Sequence, residues 1–464
     1  MSEDGLARAR AAMAADGIPD RAIAVFESQY RKLESGATGL IHEADIEPLT
    51  DVQRLHDAAI ADQQSAAALD ATVVLKLNGG LGTSVGLDKA KSLLPVRGDA
   101  TFLDVIVGQV LAVRNRYGAR LPLVLMNSFR TRDDTLAALG GYPTIGVDGI
   151  PLDFLQNREP KLRADDLTPV NWPDDPSLEW CPPGHGDIYT ALATSGILGA
   201  LLERGFRYAS VSNSDNLGAA PDPRIAGWFA ASGAPYAAEV CRRTSADLKG
   251  GYLVIRRRDG RLVLRETAQT PDQDAAAAKD IERHRFFHTN NLWFDLEVLA
   301  RTLEEKNGVL GLPFIRNAKT VDPTDPDSTP VIQIESAMGA AVEVFDGAVA
   351  IEVPRSRFLP VKTTNDLLLV RSDVYRLDSE FQLTSAVPQA PTVDLDPRHY
   401  RMLADFDRRF PNGPPSLARA DALRVRGDWT FGNHVSVIGS VTLNDPGSPA
   451  KVHDGATLGG GQPA

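Results

Sequence analysis

Leu75-Lys-Leu-Asn-Gly-Gly-Leu-Gly-Thr-Ser-Val-Gly86, closed by Lys89-Ala-Lys-Ser92, joins an apolar strand to a glycine-rich turn and two lysines. Glycine lets backbone approach an anion closely and adopt positive φ, so successive N–H groups can form an anion-binding concavity. The lysines then supply charge. The strand, Thr72 to Leu77, is too apolar for an edge and suits the buried parallel sheet of an α/β fold. Gly79, Gly80, Gly82 and Gly86 match neither the P-loop spacing nor the Gly-x-Gly-x-x-Gly of a dinucleotide fold. A tight strand-to-helix turn without a ligand is the plain alternative.

Further apolar strand candidates, Leu121–Met126, Tyr208–Ser212 and Tyr236–Val240, alternate with helical patterns, which predicts a largely parallel sheet covered by helices. Before them, residues 1–70 are rich in Ala, Gln, Arg and Glu and read as a helical preface. Loops are expected around Trp172–Gly186, Val321–Pro330 and Ser385–Pro397, where Pro, Asp and Gly cluster. From Leu423 onward apolar residues recur every six positions, at Leu423, Trp429, Val435 and Val441 and again at Val425, Phe431, Val437 and Leu443. A third column holds Gly427, Asn433 and Gly439. Hexapeptide periodicity of that kind predicts a small parallel β-helix turning its corners at residues that tolerate left-handed φ. An antiparallel meander with chance periodicity is the competing reading.

The 464 residues allow two or three domains, and a net charge of −12 argues against a nucleic-acid footprint. Two cysteines, Cys181 and Cys241, are too few for a disulfide framework and offer no metal-ligand spacing, which suggests a reducing, cytoplasmic setting. No signal region opens the sequence, and no apolar run approaches the roughly 18 residues of a membrane span. A protein without a membrane partner is expected.

Three more segments carry chemistry. Pro182-Pro-Gly-His-Gly-Asp187 is a backbone-exposing turn that opens a helix, and it reads equally as a rigid interdomain turn with His185 merely hydrogen-bonded. Asp215 follows the strand candidate Tyr208–Ser212, at the C-terminal end where open α/β sheets bind ligands, and is a candidate Mg²⁺ anchor; an ordinary Asx-turn is the alternative. Thr289-Asn-Asn-Leu-Trp293 and Arg265-Glu-Thr-Ala-Gln-Thr-Pro271 offer amides and a carboxylate suited to polyhydroxyl recognition. Between Val353 and Thr364 three cations gather in an acidic chain, and Lys362 could aim its ammonium at a phosphate or belong to a solvated basic strand.

Six segments in order resemble one family: Lys76–Ser84, Val124-Leu-Met-Asn-Ser-Phe129, Pro182–Tyr189, Asp247-Leu-Lys-Gly-Gly251, Thr289–Trp293 and Pro354–Thr364. The chain is similar, to about residue 455, to the UTP–glucose-1-phosphate uridylyltransferases (UDP-glucose pyrophosphorylases) of the type best known from eukaryotes. The resemblance implies an α/β fold: a Rossmann-like nucleotidyltransferase domain over residues 71–382, with a mixed, mainly parallel sheet flanked by helices. A linker and a short left-handed parallel β-helix would follow over 383–464. It implies UTP and glucose 1-phosphate as substrates, UDP-glucose and pyrophosphate as products, and Mg²⁺ as cofactor. Leu77, Asn78, Gly79 and Gly80 would lie along the nucleotide, Gln156 and the backbone of Gly184 would read uracil, and His185 would contact the sugar phosphate. Asn213 would meet both nucleotide and sugar, with Gly250, Glu266 and Asn290 at the sugar phosphate and glucosyl hydroxyls. Lys91, Asp215 and Lys362 would carry catalysis, Asp215 as the metal ligand.

Departures from the family pattern are Val85 for methionine, Leu87-Asp88 for small and basic residues, Ser214 for an aliphatic and His288 for asparagine. None removes a proposed catalytic group. Set against the resemblance, a coil without the last strands of the eukaryotic β-helix is expected, and because that region supports oligomer contacts in animal and fungal relatives, this bears on any homo-oligomer. Rival readings are a pyrophosphorylase for N-acetylglucosamine 1-phosphate or another hexose 1-phosphate, and a non-catalytic nucleotide-sugar sensor.

Overall fold

Eight strands lie side by side in the central sheet of the computed structural model, in the order Gln53–Arg54, Val349–Glu352, Tyr236–Arg242, Phe286–Asp295, Tyr208–Asn213, Thr72–Asn78, Leu123–Asn127, Asp153–Leu155. The structure describes residues 2–82, 85–244, 247 and 250–459. Thr83 and Ser84 of the glycine turn and Leu248 and Lys249 of the Asp247–Gly251 segment therefore lie outside the described residues. All strands of this path run parallel to their neighbours except Phe286–Asp295, which is antiparallel to both of its own. Ile46–Pro48, Tyr252–Arg256 and Leu262–Arg265 extend the sheet beside Phe287.

All four strand candidates are strands, and the glycine-turn strand sits mid-sheet with Val73, Val74 and Leu75 buried. Val74 belongs to one hydrophobic core with helix Phe102–Tyr117, whereas Val73 and Leu75 belong to another with helix Ile188–Thr194. A strand covered on both faces needs apolar residues at successive positions, which is why its sequence reads as a run and not an alternation. Helix Phe102–Tyr117 begins with a capping box between Thr101 and Asp104 and stops at Gly118, φ +65°. It buries Phe102, Ile106 and Val110, each contributing about 1.5–3 kcal/mol relative to exposure.

The N-terminal region, read as a helical preface, contains helices and also short strands. Helices Ser2–Ala15 and Asp20–Glu34 form, but Ile46–Pro48 and Gln53–Arg54 then join the sheet before helix Asp62–Asp70. These strands are two and three residues long, too short for periodicity to reveal. Thr392–Leu395, inside a stretch expected as loop, is likewise a strand.

That strand begins the C-terminal coil. Thr392–Leu395, Ser416–Val425, Ser436–Leu443 and Thr457–Gly459 form one parallel sheet, and Trp429–Phe431 pairs parallel with Ala450–Val452. Leu423 faces Val441 and Val425 faces Leu443, eighteen residues apart, so each coil is three six-residue units and the pairing is not that of a meander. Gly427 and Gly439 turn corners at φ +80° and +66°, but between them it is His434, φ +52°, and not Asn433 that takes the left-handed position. The coil shares its core with one face of the central sheet.

Candidate active site

The strand order reverses beside Thr72–Asn78, whose neighbours Leu123–Asn127 and Tyr208–Asn213 lie on opposite sides. A crevice opens at such a switch point, beyond the C-terminal strand ends. There Leu77 faces Asn213, and the Ser214 N–H donates to the Leu77 carbonyl (3.1 Å). A cleft of about 300 Å³ follows, lined by Leu77, Gly79, Gly80, Lys91, Gln156, Gly184, His185, Asn213, Asp215 and Lys362 among others. Residues far apart in sequence thus line one cleft.

Local hydrogen bonds explain how. The glycine turn closes on itself where Lys91 N donates to Gly80 O (3.1 Å) and Gly82 N to Lys89 O (3.1 Å), which returns Lys91 to the strand end. The segment carrying Lys362 binds the segment carrying Asp215, with Val361 N donating to Asp215 O (3.1 Å) and a bridge between Asn216 and Pro360. Lys91 Nζ and Lys362 Nζ then both donate to Asp215 Oδ2, each at 2.8 Å. Asp215 Oδ1 is buried without a hydrogen-bond partner. Burial alone would push this carboxyl up, but Lys362 and Lys91 outweigh it and hold it below its ordinary value, so it is ionised.

At the other wall, Gln156 Nε2 donates to Gly184 O (3.2 Å) and its side-chain oxygen abuts Gly79, where an added Cβ would stand 2.6 Å away. Gly184 has φ +79°, and a Cβ there would press to 2.5 Å from Ser336 O, so the turn admits only glycine. Asp187 faces away from the cleft: its carboxylate accepts from Asn157 N and Nδ2 (2.7 and 2.8 Å), which fixes the residue beside Gln156, and burial raises it to about 6. His185 Nδ1 accepts from Met338 N (2.9 Å). Burial, reinforced by the Lys362 charge, lowers it to about 4, so the ring is neutral and Nε2 keeps its proton for donation.

Asn78 lines no part of the cleft. Its side chain donates to Asn127 Oδ1 and Thr135 Oγ1 (2.8 and 3.0 Å), leaving its backbone alone for a ligand. Gly250, Glu266 and Asn290 lie outside the cleft as well and form an adjoining cluster. Gly250 N donates to Thr267 Oγ1 (2.9 Å), and the Glu266 carboxylate lies against Gly251. His288 N donates to Gly251 O, and Asn290 N to His288 Nδ1 (3.1 Å). Burial raises Glu266 to about 7. Asn290 holds φ +60° where the pairing of Phe286–Asp295 with Tyr236–Arg242 slips, a strained residue at a bulge.

Sequence reading missed what lies beneath. Glu239, fully buried, takes Arg357 Nε and Asn291 Nδ2 on Oε2 (2.7 and 3.1 Å) and Arg357 Nη2 and Trp293 Nε1 on Oε1 (both 2.9 Å). The Arg357 carbonyl in turn accepts from Asn216 Nδ2 and Asn291 Nδ2 (3.1 and 3.2 Å). Lys76, buried nearby, donates to Ser212 Oγ and Ala219 O (2.7 and 2.9 Å), and burial lowers its ammonium to about 7. The one available signal was a charged residue within an apolar strand: Lys76 in Thr72–Asn78 and Glu239 in Tyr236–Arg242.

Paired ammonium groups over a carboxylate, a glycine turn and a switch-point crevice make a lining suited to anionic phosphate groups. The family described as UTP--glucose-1-phosphate uridylyltransferase matches residues 23–437. The UTP--glucose-1-phosphate uridylyltransferase of Solanum tuberosum is 41% identical over 396 residues, 84% of this chain and 80% of its own length. A probable one from Schizosaccharomyces pombe is 39% identical over 379 residues, 81% of this chain and 73% of its own. The UDP-glucose pyrophosphorylase of Leishmania major, solved in open and closed structures, superposes with a TM-score of 0.91 at 41% identity over 98% of each chain. A mutant of that protein in complex with UDP-glucose gives the same values. The chain belongs to the UTP–glucose-1-phosphate uridylyltransferase family.

Proposed function

We propose that this protein forms UDP-glucose and pyrophosphate from UTP and glucose 1-phosphate, by in-line attack of the sugar-phosphate oxygen on the α-phosphorus of UTP. The convergence of Lys91 and Lys362 on Asp215 in the switch-point cleft carries this reading. The attacking phosphate is already ionised, so no general base is needed, and the barrier is repulsion between anions and charge gathering on the transferring group. Positioned cations lower such a barrier. Lys91 binds the triphosphate, and Lys362 stabilises the α-phosphoryl group as bonds exchange. Uracil lies against Gln156 and Gly184, and the backbone of Leu77 to Gly80 follows the nucleotide. Asn213 reaches both substrates. Neutral His185 donates Nε2–H to the sugar phosphate, with Asn290, Glu266 and the Gly250 turn on the glucosyl side.

A single carboxylate with one oxygen free suits Mg²⁺, which takes one or two protein carboxylates when phosphates and water fill the rest. Asp215 has that free oxygen, Oδ1. Among the described residues no group of three or more His, Cys, Asp or Glu is placed to hold a metal without substrate. Bound at Asp215, the ion would neutralise phosphate charge. The C-terminal coil we read as a left-handed β-helix, from its six-residue columns and positive-φ corners. Two unpaired, buried thiols suit a reducing cytoplasmic setting; among the described residues no helix is long and apolar enough to cross a membrane.

The test is pyrophosphate release with UTP and Mg²⁺, comparing glucose 1-phosphate, galactose 1-phosphate and N-acetylglucosamine 1-phosphate. Fast release with glucose 1-phosphate alone supports the reading. Release only with another sugar would transfer the mechanism to a different substrate, and UTP binding without release would overturn the enzymatic reading.

A further inference from the structure

A second cavity, about 280 Å³, adjoins the cleft and shares Lys362 as a wall. Its other lining residues include Val85 of the glycine turn, Thr363 to Asn365 at the start of helix Thr364–Arg371, and Arg401 from the C-terminal region. None of the sugar-side residues Gly250, Glu266, His288 and Asn290 lines it. We propose that this cavity is the subsite of the departing pyrophosphate and that Arg401 is its anion-binding cation. The inference rests on the reaction proposed above and adds a residue to it.

Charge supply is the first reason. In the reaction the bond between the α-phosphorus and its bridging oxygen breaks, the electron pair leaves with pyrophosphate, and a sugar-phosphate oxygen forms the new bond. No proton or co-reactant is required. The leaving group therefore carries away most of the negative charge of the triphosphate and needs cations of its own. Among the described residues the cations that line the cleft are Lys91 and Lys362, and both are already turned to Asp215. An in-line displacement also sets the leaving group opposite the incoming sugar phosphate, and the second cavity lies beyond Lys362 without sugar-side residues.

The state of Arg401 is the second. Its neighbours Arg398, Arg408 and Arg409 are all held by carboxylates, of Asp396 and Asp445, Asp405, and Asp428 respectively. Among the described residues Arg401 has neither an ion pair nor a side-chain hydrogen bond, and it is exposed. A guanidinium matches phosphate oxygens bidentately, so a free one beside a phosphate-transfer site is a ready partner.

Its placement is the third, because it is built. Asn365 Oδ1 accepts from Leu395 N (3.0 Å), which ties the approach to Arg401 to the helix that follows Lys362. Tyr400 Oη donates to Trp429 O (2.6 Å), which anchors it to the coil. On its other side Met402 rests on the glycine turn, its Sδ 3.1 Å from where a Cβ on Gly86 would stand. The C-terminal region thus places Arg401 between the glycine turn and the Lys362 segment.

Steady-state pyrophosphorolysis, with UDP-glucose and pyrophosphate as substrates, tests the assignment in Arg401→Ala and Arg401→Lys. The expected result is a rise of roughly tenfold or more in the KM for pyrophosphate in Arg401→Ala, a change under about threefold in the KM for UDP-glucose, and partial recovery in Arg401→Lys. The difference should shrink at high salt, because an exposed charge pair is screened. A pyrophosphate KM within about twofold of the parent overturns the proposal. Calorimetric binding of pyrophosphate to the full-length parent and to Arg401→Ala answers independently of turnover. Equal affinities refute the subsite whether or not the enzyme is active, whereas weaker binding to the variant by an inactive parent would keep the subsite and refute the proposed reaction.

Discussion

Glu239→Gln tests the claim that a buried charge pair holds the catalytic loops in place. Four donors meet the two Glu239 oxygens: Arg357 Nη2 and Trp293 Nε1 on one, Arg357 Nε and Asn291 Nδ2 on the other. Glutamine has the same shape but offers one acceptor, so either flip sets its NH₂ against two donors, one of them a guanidinium N–H. Loss of two buried hydrogen bonds, one charged, together with an Arg357 left with only the Asp222 carboxylate at 3.9 Å, costs about 3–5 kcal/mol. No cavity forms, so that cost reports electrostatics alone. The assay is hydrogen exchange of peptides covering Phe286–Asp295, where about 3 kcal/mol appears as exchange faster by roughly a hundredfold. Arg357→Met on top of Glu239→Gln removes the guanidinium that has lost its buried partner and should return about 2 kcal/mol, the sign that separates a weakly compensated ion from general damage. Exchange in Glu239→Gln within about threefold of the parent would refute the reasoning.

Lys362→Ala should lower kcat by about 10²–10³ while the KM for UTP changes little, since its charge acts on the transition state; a KM effect with intact kcat would return Lys362 to a binding role. Asn290→Gly and Asn290→Ala should both raise the KM for glucose 1-phosphate. Melting should separate them, with the alanine variant about 1 kcal/mol less stable because only glycine takes φ +60° freely. His288 is held at about 4 by burial against an ordinary 6.5, so the unfolded chain takes up a proton between those values that the fold refuses. Stability therefore falls as pH drops through that window, by about 1.4 kcal/mol per unit for this group. His288→Asn should make urea-unfolding midpoints fall less steeply between pH 6.5 and 4.5, leaving the share of His185, which burial lowers alike; an unchanged slope would show that His288 does not titrate there.

Much of this was legible in the sequence where a single element speaks for itself. Thr72–Leu77 announced a buried strand because both its faces are covered, and the six-residue columns announced a parallel coil because each column fills one edge of its interior. The cleft residues were legible through the resemblance, whose motifs the fold brings together. What stayed hidden depends on pairing between distant segments. Phe286–Asp295 contains the Thr289–Trp293 motif, yet nothing in it discloses an antiparallel strand inside a parallel sheet, and the bulge that sets Asn290 at positive φ exists only against Tyr236–Arg242. Asn433 had the better left-handed propensity, but His434 turns the corner, since strand register and not residue preference decides which position falls there.

Buried charge beneath the site follows from how the site is assembled. Asp215 stands after Tyr208–Asn213, Lys362 after Val349–Glu352, and Asn290 within Phe286–Asp295, so three separately connected segments must agree in position to a fraction of an ångström. Apolar packing tolerates small slides, whereas hydrogen bonds to a carboxylate do not. The Glu239 network has members on each segment: Asn216 beside Asp215, Arg357 before Lys362, and Asn291 beside Asn290. A shift of any one segment leaves a buried donor unsatisfied at a cost of about 1–3 kcal/mol, so the arrangement resists the displacements that would misplace Lys362 over a phosphoryl group. If that is its purpose, exchanging Glu239 and Arg357 together for well-packed apolar residues should cost only the about 1–3 kcal/mol of a Trp293 Nε1–H left without its acceptor, and yield a folded protein whose kcat, and not its KM for UTP, has fallen. A stable and fully active double variant would show instead that backbone pairing at Asp215–Val361 suffices to set the geometry.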